Sequence, residues 1–155
     1  MKLYFAGPDV FRPDAREWAE RLRGLCASLG HEALIPLDSR AQSAAEIYAA
    51  NLAMIRQADA VIANLNPFRG CEPDSGTCFE VGLAIALGKR VVAYIANGEA
   101  LRERVLREFG GTQNRDRDDQ AIEDFGLPLN LMLAIPAEIV IGQIEQALEK
   151  LAVLG

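Results

Sequence analysis

Short, almost unbroken apolar runs alternate along this chain with longer stretches whose apolar residues recur every three or four positions. The first run, Lys2 to Ala6, stops at Gly7-Pro8 and reads as a strand. After Pro13, a favoured first helical residue, Trp18, Leu22, Leu25 and Leu29 share one face and predict a helix ended by Gly30. Ala33 to Ile35 is a second strand closed by Pro36, with Leu37 to Arg40 as its exit loop. Ser43 and Glu46 form a capping-box pattern that opens a helix running to Gln57. On it Ile47, Tyr48, Asn51, Met54 and Ile55 share a face, so Asn51 is either a core amide bonded to backbone or a ligand-facing group.

A third strand, Asp59 to Leu65, leads through turn-forming residues into a small-residue helix from Ser75 to Leu87. Arg90 to Ala96, rich in β-branched residues, predicts a fourth strand, and Glu99 to Phe109 a helix with Leu101, Val105 and Phe109 on one side. The polar stretch Gly110 to Asp119 reads as a mobile loop, and Asp124 to Leu133 as a turn with a short apolar helix. Ala137 to Val153 reads as a last amphipathic helix with Val140, Ile144, Ala147, Leu148 and Leu151 inward. Such alternation predicts an α/β fold, a parallel sheet of four to five strands with helices on both faces. Right-handed crossovers place the strand exits along one edge, so Asp9, Phe11, Asp38, Asp74 and Glu80 are expected to converge there.

A length of 155 residues suits one domain spanning 1–155. The formal charge of −6 argues against a nucleic acid polymer as partner. Cys26, Cys71 and Cys78 form no Cys-x-x-Cys pair and accompany only one histidine, His31, so neither a zinc site nor a disulfide framework is expected. The N-terminal apolar run breaks too early for a signal peptide and no run approaches a membrane span, which predicts a cytoplasmic protein without a membrane partner.

The chemistry concentrates between Asn66 and Arg90, where Asp74 and Glu80 lie six positions apart. Thr77-x-x-Glu80 fits a capping box, which would leave Glu80 in the first turn with a local structural task. It equally fits an ionised carboxylate with room for a ligand beside Gly82, Ala84 and Ala86. Asp74 is likewise open between an Asx turn and a functional acid. Two such groups are what glycosyl transfer needs: one attacks the anomeric carbon while the other assists the leaving group. No phosphate-binding Gly-Lys-Ser/Thr loop, dinucleotide fingerprint or Ser-His pair competes with this reading.

Four segments in order resemble the nucleoside 2-deoxyribosyltransferases: Tyr4-Phe5-Ala6-Gly7-Pro8-Asp9-Val10-Phe11, Pro36-Leu37-Asp38, Glu72-Pro73-Asp74-Ser75-Gly76-Thr77-x-Phe79-Glu80-x-Gly82-x-Ala84, and Pro128-Leu129-Asn130-Leu131-Met132. The resemblance implies a flavodoxin-like (Rossmann-like) fold and transfer of 2-deoxyribose between a deoxynucleoside and a free nucleobase, without metal or organic cofactor. It implies Glu80 as nucleophile, Tyr4 as the residue that holds it, Asp74 as the acid at the base, and Phe11 as the aromatic packing on the base. Gly7, Asp9, Asp38 and Asn51 complete the expected substrate-binding set. Asn51 stands where some members carry an acid, which changes the donor-acceptor pattern offered to the base. Asn130 matches an asparagine lent by a neighbouring subunit, implying a homodimer or higher homo-oligomer with shared sites. Two rivals are an N-glycoside hydrolase of nucleosides or their 5′-monophosphates and a non-catalytic flavodoxin-like binding module. The hydrolases resemble one another in a Gly-Gly-Arg phosphate loop, whereas Asp9 puts negative charge in that loop here, although Arg12, Arg40 and Arg69 are within reach of it.

Overall fold

The structure, a computed structural model, describes residues 1–39 and 42–152. Its main sheet contains β1 (Lys2–Ala6), β2 (Glu32–Leu34), β3 (Ala60–Asn64), β4 (Arg90–Ile95) and β7 (Glu138–Ile141), all parallel in the order β2-β1-β3-β4-β7. That is the flavodoxin-like order, with the switch between β1 and β3 where the chain changes winding direction.

Helices α1 (Ala15–Ser28), α2 (Ala44–Gln57), α3 (Ser75–Ala86), α4 (Leu101–Phe109), α5 (Leu131–Ala134) and α6 (Ile144–Ala152) complete the α/β alternation. Both sheet faces are covered, which is why the central strands are apolar without alternation. Leu3, Phe5, Ala60, Ile62, Val92 and Tyr94 pack with Ala19, Leu22 and Cys26 of α1 and Ala147, Leu148 and Leu151 of α6. On the opposite face Tyr4, Ala6, Val61, Ala63 and Val91 pack with Ile55, Val81, Ala84, Leu129 and Leu133. The two-residue period of β1 thus puts Tyr4 on the α2 and α3 side.

Two predicted elements differ. The stretch expected as one helix from Ala137 is first a strand, and the helix begins only at Ile144; its expected last residue, Val153, lies outside the described residues. The free edge of β4 takes up Ile139-Val140-Ile141 in register with Ala93-Tyr94-Ile95, and backbone pairing outweighs the helical spacing. Arg90 anchors this edge with a bidentate pair to Glu138, Nε–Oε1 2.6 Å and a second nitrogen to Oε2 3.1 Å, which holds that carboxyl below its usual pKa range. The polar stretch from Gly110 contains a small hairpin, β5 (Gly111–Thr112) and β6 (Arg115–Asp116). Among the described residues no helix is long and apolar enough to cross a membrane.

Candidate active site

Glu80 sits where three elements meet. The α3 N-cap is Asp74, whose Oδ2 accepts from the Thr77 amide at 2.9 Å and the Thr77 hydroxyl at 3.0 Å. Asp74 therefore supplies the cap that sequence spacing assigned to Thr77 and Glu80. Glu80 falls in the second helical turn and is released from any capping task. Its Oε1 accepts the Tyr4 hydroxyl at 2.6 Å and Asn51 Nδ2 at 3.3 Å, whereas Oε2 accepts no hydrogen bond among the described residues.

Burial pushes the Glu80 carboxyl above its ordinary pKa; the bonds from Tyr4 and Asn51 pull the other way, and the nearby Asp74 adds to the rise. Burial and the facing Glu80 charge also raise the Tyr4 phenol, so it stays a proton donor. Asn51 lends its amide to Glu80 while its Oδ1 is buried without a partner among the described residues, a cost of the kind found at functional sites.

A cleft of about 440 Å³ opens beside this group, walled by Gly7, Val10, Phe11, Leu37, Ile47, Asn51, Asp74, Thr77 and Glu80 itself. At Gly7 a Cβ would stand 2.9 Å from both Asn64 Cβ and Asp9 Oδ2, so only glycine lets β1 turn here. The fold thus brings together Tyr4, Gly7, Phe11, Asn51, Asp74 and Glu80.

Tyr4, fully buried, reaches the cleft only through Glu80, and three further expected site residues stand outside the cleft walls. Asp9 is buried, with Oδ2 accepting from Asn64 Nδ2 at 2.7 Å and Arg12 at 3.7 Å from Oδ1. Asp38 turns back on its own strand exit, accepting from the Ile35 amide at 3.0 Å and pairing with Arg23. Asn130 caps α5 through the Met132 amide at 3.0 Å and donates to Glu123 at 2.8 Å, lining a separate hollow. Arg40 lies outside the described residues. Ile47 is a wall residue that sequence spacing assigned to an apolar stripe; it is 42% exposed, and Asn51 four residues on was the signal that this stripe faces more than core.

The family model for nucleoside 2-deoxyribosyltransferase matches residues 3–132. A solved 2-deoxyribosyltransferase from Leishmania mexicana is 36% identical, covers 99% of this chain and 97% of its own, and superposes with a TM-score of 0.84. A 2-deoxyribosyltransferase from Bacillus psychrosaccharolyticus (22% identity, 67% of this chain and 82% of that one, TM-score 0.51) shares the fold. So does a CMP N-glycosidase from Clostridium botulinum (17% identity, 99% of each chain, TM-score 0.55). An uncharacterized protein of Schizosaccharomyces pombe is 29% identical over 113 residues, 66% of this chain and 54% of that protein, so this chain spans about half its length. The family match runs through β1, the Asp74 loop and α3, and the likeness to the Leishmania structure extends over nearly the whole fold: the chain belongs to the nucleoside 2-deoxyribosyltransferase family.

Proposed function

We propose that this protein transfers 2-deoxyribose between nucleobases by a retaining double displacement through an ester on Glu80. The observation that carries the reading is the Glu80 carboxylate, fixed at Oε1 by Tyr4 and Asn51, with no partner at Oε2 among the described residues, lining a cleft of nucleoside size. Oε2 attacks C1′, and the C1′–N bond breaks with its electron pair going to the departing base. That nitrogen takes a proton from Asp74 or a water it orders, and a deoxyribosyl ester remains. A second base then attacks C1′ through a ring nitrogen, the ester C–O bond breaks back to the carboxylate, and the incoming base returns its proton to Asp74 or the water it orders. Two inversions give net retention. Phe11 packs on the base, and neither metal nor organic cofactor takes part.

Attack of water on the same ester gives N-glycoside hydrolysis, so exchange and hydrolysis are two exits from one intermediate. A base-exchange assay over deoxynucleoside and base pairs, with released sugar measured alongside, tests the reading. New nucleoside is expected to exceed free deoxyribose; no consumption of any nucleoside would overturn it.

The site is proposed to be shared between subunits of a homodimer or higher homo-oligomer. Asn130 does not line the Glu80 cleft of its own chain, and α3 packs on both α2 and α5. Those helices leave Tyr48, Phe79, Met132 and Ile135 exposed, which supports an apolar contact between copies. Mixing inactive Glu80→Ala with inactive Asn130→Ala under subunit exchange is expected to restore part of the activity, since a mixed dimer holds one site free of both lesions. No recovery after proven exchange would confine Asn130 to its own chain.

A further inference from the structure

The exits of β1 and β3 flank the cleft and are joined twice, once at their roots and once at their tips. At the roots Asp9 Oδ2 accepts from Asn64 Nδ2 at 2.7 Å, and Asn64 Oδ1 accepts from Asn66 Nδ2 at 2.7 Å. Asn66 Oδ1 in turn accepts from the Ala96 amide at 2.8 Å, so the chain of bonds ends on the β4 exit. Each loop is thereby fixed two residues before an aromatic: Asp9 before Phe11, Asn66 before Phe68.

At the tips the rings of Phe11 and Phe68 stack with centroids 5.6 Å apart and planes 14° from parallel. The Arg69 guanidinium carbon lies 5.3 Å from the Phe11 centroid and 4.6 Å from that of Phe68. Arg69 reaches this place with φ at 56°, a left-handed backbone that arginine rarely adopts, and among the described residues no carboxylate pairs with it. The Phe68 amide donates to the Glu72 carbonyl at 2.9 Å and closes the loop behind the rings.

Phe11 itself is 59% exposed; it walls the Glu80 cleft and also borders a depression of about 240 Å³ shared with Phe68. An exposed phenylalanine with no backing samples several rotamers and loses that freedom when a ligand packs on it. We propose that Phe68 and Arg69 are positioning residues that brace Phe11, holding its ring as a preformed wall for the nucleobase. This rests on the deoxyribosyl-transfer reading. Phe68 backs the ring by stacking, and the Arg69 cation fastens both rings. The same β3–α3 loop ends in Asp74, so the brace also sets the base wall relative to the acid beside it.

The test combines steady-state exchange with calorimetric titration of free nucleobases, on wild type, Phe68→Ala, Phe68→Tyr, Arg69→Met and Arg69→Lys. Phe68→Ala and Arg69→Met are expected to raise both KM for the nucleoside and Kd for the base roughly two- to ten-fold, the range of a lost aromatic pair, with kcat within about two-fold. Phe68→Tyr is expected to restore wild-type values and Arg69→Lys to restore part. Thermal unfolding midpoints separate the effect from loss of fold, and Arg69→Met, exposed on the surface, keeps the test valid if Phe68→Ala unfolds. An active wild type with KM and Kd unchanged in both variants would overturn the brace alone. So would an Arg69→Met defect confined to nucleoside 5′-monophosphates, which would make Arg69 a phosphate ligand. A wild type that neither binds a base nor consumes a nucleoside would overturn the transfer reading and the brace together.

Discussion

The cleft beside Glu80 and the hollow beside α4 have similar volumes, about 440 and 380 Å³, and carboxylates line both. In the hollow Glu72 also titrates above its ordinary range, through desolvation first and with Glu123 adding to it while Arg104 opposes. Yet Glu72 is exposed, and its carboxylate accepts no hydrogen bond among the described residues; Glu123 spends its oxygens on the Asn130 amide and the Leu131 backbone. Glu80 differs in being held at one oxygen by a phenol and an amide while the other oxygen is left without a partner among the described residues. A raised carboxyl pKa therefore marks a site only where geometry leaves that group fixed and free to attack.

The largest expected effect breaks the comparison outright. Glu80→Ala is expected to lower exchange at least ~10³-fold, the scale of losing a covalent nucleophile, with the fold retained by circular dichroism. Glu72→Gln in the hollow is expected to stay within about two-fold of wild type, as for a surface substitution. Equal losses in the two variants would erase the distinction between the two regions.

Tyr4→Phe sharpens it by removing one of the two donors that make Glu80 special. A hydrogen bond to a charged group contributes about 1.5–3 kcal/mol, so kcat/KM is expected to fall roughly 10- to 10²-fold. Because that bond lowers the Glu80 pKa, its loss moves the acidic limb of the kcat/KM profile to higher pH. A pH–rate profile with an unmoved acidic limb would show that Tyr4 does not set the protonation of Glu80.

The smallest effect is on stability. The Glu80 carboxyl titrates above 4.5 in the fold, chiefly through burial. Below about 4.5 both folded and unfolded chains hold the proton and burial carries no charge penalty; as pH rises through the folded-state value the ionised group increasingly costs stability. Glu80→Gln is thus expected to raise Tm at pH 7, with the gain shrinking as pH falls toward about 4.5 and absent below it, by calorimetry across pH. A gain that grows as pH falls would reverse the assigned shift.

Much of this architecture is legible in local chemistry. Ser43 and Glu46 form the reciprocal cap their spacing announces, with Ser43 Oγ accepting from the Glu46 amide at 3.2 Å and Glu46 accepting from the Ser43 amide at 3.1 Å. What escapes the sequence depends on partners far along the chain. Ile139-Val140-Ile141 satisfies a helical stripe and a strand equally, and only the open edge of β4 decides between them. Asp74 and Thr77 both suit an α3 cap, and the choice of Asp74 leaves Glu80 for Tyr4, 76 positions away. Asp9 sits at a strand exit as the topology predicts, but its carboxylate bonds Asn64 of β3 and it does not line the cleft. The Phe68 and Arg69 brace has no periodicity to betray it.

The most direct test of the central assignment is to catch the intermediate. Wild-type protein is incubated with a 2′-fluoro-2′-deoxynucleoside, whose fluorine slows both displacements by disfavouring the oxocarbenium-like transition state, then acid-quenched, digested and read by tandem mass spectrometry. The account predicts one fluorodeoxyribosyl ester, on Glu80, that disappears when a free base is added and appears as new nucleoside. A sugar adduct on another residue, or retaining exchange with no adduct on Glu80, would contradict it.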